Sequence, residues 1–129
     1  MLTWCREHGA AFIPYAPLGR GFLTGQVTRE TITDGDIRGS TPRFTDEAME
    51  QNLAIVDRVR SVAERYDATP GQVALAWLLA QYERVVPIPG TRRVERLTEN
   101  AGAARLELSA EDLAELDALP APAGARYRV

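Results

Sequence analysis

VPIPGTRRVERLTEN, from Val86 to Asn100, changes pattern twice within a few residues. Val85 to Ile88 is a short apolar run of the kind that forms a buried strand, and Pro89 and Gly90 stop it. Beyond them Val94, Leu97, Ala101 and Ala104 fall at the spacing of one helix face. A strand, a tight turn and a helix start lie in direct succession, with Thr91, Arg92, Arg93 and Arg96 gathered at the junction. Free N–H groups and the helix dipole favour negative charge at such a helix start. Gly90 lets a backbone approach an anion, Thr91 offers a hydroxyl, and the arginines add planar donor forks that can hold a phosphate by two bonds.

Upstream, Thr69, Pro70 and Gln72 spell a capping box with proline at the first helical position. The run VALAWLLA, Val73 to Ala80, is apolar on every side, which predicts burial in a body larger than this chain can build. Before it, Ile55, Val56, Val59, Val62, Ala63 and Tyr66 mark an amphipathic helix for which Asn52 is the expected N-cap. Residues 18–49 carry many turn formers and little periodicity, and read as a loop too long to be a mere connection, of the kind that is functional or disordered. Ala11 to Tyr15 is a second short strand, preceded by a helix from Met1 to His8 that Gly9 closes. Downstream, Ser109 and Asp112 open a last helix carrying Leu113, Leu116 and Leu119 up to Pro120, and residues 121–129 read as an irregular tail.

Helix, strand, long loop, two helices, strand and two helices make the alternation of a βαβ unit with a parallel strand pair. The fold class is α/β. Two strands close no barrel, and an isolated pair leaves edges open, so self-association through exposed strand edges is expected of the chain alone.

Composition narrows the function classes. The chain is 45% hydrophobic and 26% charged, as globular domains are. Its net charge of -3 and the absence of a basic stretch argue against nucleic acid. No segment approaches the roughly 20 apolar residues of a membrane span, and a single cysteine, Cys5, supplies neither a disulfide nor a multi-cysteine metal site. A reducing compartment, the cytoplasm, is the expected location.

YAPLGRGFLTG at Tyr15 to Gly25, PRF at Pro42 to Phe44, TPGQVALAWLLAQ at Thr69 to Gln81 and VPIPGTRRVERLTEN together resemble the aldo-keto reductases. The order is that family's, over nearly the whole chain, and the PIPGT form resembles its bacterial-type members. The resemblance implies the C-terminal portion of a (β/α)8 TIM barrel, about two strands with surrounding helices, and NADP(H) as cofactor. Phosphate sites in such barrels lie between the loops after the last two strands and a helix start. By resemblance, Arg96 grips the 2′-phosphate, Arg92 lies near it or over the adenine, and Glu99 and Asn100 hold the adenine amino group. Ile88, Pro89, Gly90 and Thr91 form the turn beneath. Tyr15 stacks on the nicotinamide, and Ala16, Pro17, Leu18, Gly19, Arg20 and Gly21 line the pyrophosphate with backbone donors.

The resemblance also implies a small carbonyl substrate, reduced by hydride transfer with a proton from a tyrosine supported by lysine, aspartate and histidine. None of those four is expected here. His8 falls in a helix tail, Tyr66 and Tyr82 read as core and surface residues, and there is no lysine. Trp77 reads as core, and Trp4 and Cys5 as packing under the first helix. No catalytic residue and no metal ligand is assigned, and the chain alone is expected to be inactive. The alternative reading is a non-catalytic cofactor-binding or interaction module that assembles with another chain.

Overall fold

A computed structural model describes residues 1–127. Its helices are α1 (Leu2–His8), α2 (Asp46–Arg65), α3 (Pro70–Gln81), α4 (Val94–Gly102) and α5 (Ala110–Asp117), with 3-10 turns at Gly19–Thr24, Ile37–Ser40, Pro42–Phe44 and Ala103–Arg105.

Helix α3 starts as its sequence requires. The Thr69 hydroxyl accepts from Gln72 N at 3.2 Å, and the Gln72 side chain accepts from Thr69 N at 2.9 Å. Val73, Ala74, Leu75 and Ala76 are buried, but Trp77, Leu78 and Leu79 are only half-buried and Ala80 is exposed. Trp77 sits at the core margin, where its Nε1 donates to Asp117 at 2.8 Å. The uninterrupted apolar run is therefore covered over its first half only.

Helix α2 packs on α3 and begins earlier than expected. Its cap is Thr45, whose hydroxyl accepts from Ala48 N, and Asp46 and Glu47 lie in the first turn, where the dipole favours them. Asn52 is not a cap. It lies inside the helix with 1% of its surface exposed, and its amide bonds Arg43 O at 3.3 Å, Ala123 O at 3.1 Å and Ala123 N at 2.7 Å. The long loop thus ends at Thr45, and it has a core of its own. Phe22, Val27 and Phe44 pack with Met49 and Val56 of α2, the two phenyl rings meeting edge to face at 5.9 Å. A second cluster joins Val59, Val62 and Ala63 of α2 to Val73 of α3 and Leu116 of α5. Asp112 ties α5 to α2 by accepting from Tyr66, Arg65 and Ser109.

The two expected strands lie side by side and parallel, yet meet only through single bridges, Phe12 to Val85 and Tyr15 to Ile88. Phe12 N donates to Arg84 O and Val86 N to Phe12 O, both at 2.9 Å. The next rung needs an N–H on residue 14, which is proline, so the ladder breaks there and resumes weakly with Ile88 N to Pro14 O at 3.4 Å. Val85 is buried, whereas Ile13, Tyr15, Val86 and Ile88 are each more than half exposed. One face of the pair is uncovered.

Helix α1 ends at Gly9 as expected and buries Cys5. Trp4 does not pack beneath it; the residue is 55% exposed, and its ring stacks on His8 at 4.2 Å. Helix α5 ends at Asp117, and residues 121–127 are irregular but anchored, while tail positions 128 and 129 lie outside the described residues. Among the described residues no helix is long and apolar enough to cross a membrane, and no group of three side chains could hold a metal.

Candidate functional site

The parallel pairing of Tyr15 with Ile88 delivers two loops to the same end of the molecule. After Tyr15 the backbone turns sharply, with Ala16 at φ 44° and Arg20 at φ 59°, the left-handed region that residues with a Cβ rarely enter. Such strain concentrates at functional sites. After Ile88 the chain passes through Pro89, Gly90 and Thr91 into α4.

Between these loops lies a cleft of about 480 Å³, walled on one side by Ala16, Pro17, Leu18, Arg20, Gly21 and Thr24. Ile88, Pro89, Gly90 and Thr91 form its floor, and Arg96, Glu99 and Asn100 its far side. Residues some 70 positions apart thus line one cavity. Three expected residues do not line it. Gly19 faces neighbouring cavities on the other side of its own turn. Arg92 is exposed beyond the rim. Tyr15 lies at a second cavity, beneath the chain's tail. Thr24 is a lining residue that sequence reasoning missed, because a threonine in a glycine-rich turn carries no distinguishing signal; its hydroxyl donates to Gly21 O at 2.6 Å.

The far side is preassembled. Arg96 donates to Glu99 at 2.7 Å and also to Gln26, while the other Glu99 oxygen accepts from the Thr69 hydroxyl at 2.9 Å. Gln72 Nε2 donates to Glu99 O at 3.0 Å, so the capping box of α3 also braces α4. At its own start α4 is preceded by Arg93, and no side chain caps it. Its first amide groups are the kind that an external anion satisfies. A Cβ built on Gly90 meets nothing within 4 Å. No neighbouring protein atom forbids a side chain there, at a residue that lines the cleft. On the opposite wall the expected row of free donors is shorter than predicted, since Gly19 N and Gly21 N donate within the turn to Ala16 O and Leu18 O at 3.0 Å.

Tyr15 Oη lies 2.7 Å from Tyr127 Oη. That bond, with desolvation second, pushes the Tyr15 phenol above its usual range against the opposing charge of Arg126, and the same bond pushes Tyr127 down.

The aldo/keto reductase family model matches residues 1–121. The chain belongs to the aldo-keto reductase family. It is 44% identical over 126 residues to a probable aldo-keto reductase 1 of soybean (Glycine max), covering 95% of this chain and 36% of that protein. A Schizosaccharomyces pombe aldo-keto reductase whose name carries NADP(+) is also 44% identical, over 87% of this chain and 33% of its own length. Among solved structures, the glycerol dehydrogenase of Gluconobacter oxydans superposes with a TM-score of 0.81 at 27% identity, over 91% of this chain and 36% of that one. A thermostable aldo-keto reductase in complex with the inhibitor epalrestat gives 0.62 at 28% identity, over 90% and 32%. The chain spans about a third of the length of the relatives it matches.

Proposed function

We propose that this chain is the cofactor-gripping C-terminal portion of the (β/α)8 barrel of an NADPH-dependent reductase acting on small aldehydes or ketones. The observation that carries the reading is the single cleft uniting the Ala16–Gly21 turn with Gly90, Thr91 and the Arg96, Glu99 and Asn100 side of α4. NADPH bound there would supply the hydride. Arg96 has five donors and can keep Glu99 while turning two to a 2′-phosphate. Arg92, exposed and outside the cleft lining, adds positive charge. Glu99 retains acceptor capacity beyond its two present bonds, which suits an adenine amino group, with Asn100 beside it. Thr91 and the amides of α4 hold phosphate oxygens, the Ala16–Gly21 turn runs along the pyrophosphate, and Tyr15 orients the nicotinamide. The proton donor and its supporting residues belong to other strands of the barrel. A cytoplasmic setting goes with this reading.

The test compares Arg96→Ala with the unaltered protein, at the length its own cells make it, by titration with NADPH and NADH. Loss of a two-bond charged contact weakens NADPH by about 10- to 100-fold, with NADH within about twofold. Equal losses for both removes the 2′-phosphate assignment.

The uncovered apolar face at Ile13, Val86 and Ile88 supports a second reading, a non-catalytic module that assembles with another chain or a second copy. Sedimentation of the purified chain tests it: a concentration-independent monomer contradicts assembly.

A further inference from the structure

The tail after α5 is fastened at successive points. Buried Asn52 bonds both backbone groups of Ala123, and the Arg43 guanidinium donates twice to Gly124 O at 3.3 Å. Gly124 has φ 79°, and a Cβ there would lie 2.5 Å from Pro42 O, so only glycine fits. This anchoring delivers the next residues to one side chain, Tyr15. The Arg126 guanidinium carbon sits 4.1 Å from the centre of the Tyr15 ring, and its Nη2 donates to Tyr15 O at 3.1 Å. The Tyr127 hydroxyl bonds the Tyr15 hydroxyl, and Arg20, itself tied to Thr41 at 2.8 Å, lies over the Tyr127 ring at 5.4 Å. One face and the hydroxyl end of Tyr15 are thereby held, while the residue remains 52% exposed. Nothing in the cofactor reading accounts for these contacts.

We propose that Arg126 is a positioning residue for the nicotinamide, acting through Tyr15; this rests on the cofactor reading above. A flat ring has two faces, and Arg126 occupies one. The nicotinamide is left the other, on a ring already fixed in rotation, so less ordering remains to be done on binding. Arg126 also places a positive charge one ring behind the stacking face. Oxidised nicotinamide carries a positive charge and reduced nicotinamide does not, so the guanidinium disfavours NADP+ relative to NADPH.

The experiment measures binding of NADPH, NADP+ and 2′,5′-ADP, which lacks the nicotinamide, to the native-length protein and to Arg126→Gln, Arg126→Lys and Gly124→Ala. Arg126→Gln is expected to weaken NADPH about fivefold, to leave 2′,5′-ADP unchanged, and to lower the preference for NADPH over NADP+ by about threefold or more. Arg126→Lys keeps the charge and restores most of that preference. Gly124→Ala, which displaces the tail without touching the ring, reproduces the glutamine variant. Equal weakening of 2′,5′-ADP, an unchanged redox preference, or tighter NADPH binding by Arg126→Gln overturns the proposal, the last because it would make the tail a competitor. If the unaltered protein binds neither NADPH nor 2′,5′-ADP, the cofactor reading falls and takes this one with it.

Discussion

Replacing Asn52 by alanine removes the side chain that joins the middle of α2 to the tail. The asparagine is 1% exposed, and its three bonds go to Arg43 O, Ala123 O and Ala123 N. Truncation leaves three backbone groups without that partner and opens a cavity of side-chain size. Each buried group left unsatisfied costs about 1–3 kcal/mol. Because the tail can lift and let water reach all three together, the sum is not additive, and about 3 kcal/mol is expected. At 1.4 kcal/mol per decade that is roughly a hundredfold. Hydrogen exchange at the Ala123 amide reads it directly: protection falls about a hundredfold in Asn52→Ala, with little change in the Val62 and Val73 region. Asn52→Asp is worse at neutral pH, since its second oxygen would face two carbonyl oxygens where Nδ2 now donates. It recovers in acid, where a protonated carboxyl can donate again. Unchanged protection in the alanine variant, or an aspartate variant insensitive to pH, would refute this account of the tail.

Thr69→Ala removes a cap bond to Gln72 N and the hydroxyl that holds Glu99, and should lower stability by about 1 kcal/mol; denaturant unfolding measures it, and serine at the same position should restore most of the loss. Val62, fully buried between α2 and its neighbours, should cost about 2 kcal/mol on truncation to alanine by the same assay. Asp112 is held below the usual carboxylate range, first by its bond from Ser109, then by Tyr66, with burial opposing and Arg65 adding. A carboxylate whose folded pKa is depressed stabilises the fold above its unfolded value and loses that contribution as pH falls through the folded one. Unfolding midpoints should therefore drop as pH falls below about 4, and Asp112→Asn should flatten that part of the profile.

The helices were legible where side chains speak to the backbone locally. Thr69 and Gln72 define the start of α3 within four residues, and Ser109 and Asp112 that of α5. The cleft was legible because the chain after each strand is glycine- and proline-rich and carries its own chemistry. The start of α2 was misread because Asn52 fits a cap pattern in sequence, while its function is set by Ala123, 71 residues away. No local rule carries that distance. The fragmentary ladder follows from Pro14, whose missing N–H forbids a rung in a run that apolar content alone reads as a strand. The attachment of Arg126 and Tyr127 to Tyr15 had no signal at all: a tail of alanine, proline and glycine reads as irregular whether it is loose or fastened.

The most direct test of the cofactor cleft is a hydrogen-exchange map of the native-length protein with and without NADPH. Within this segment, slowed exchange is expected at residues 15–24 and 88–100, with the outer face of α2 unchanged. Within this segment, protection confined to the outer face of α2, or none at either loop under saturating NADPH, would contradict the cofactor reading.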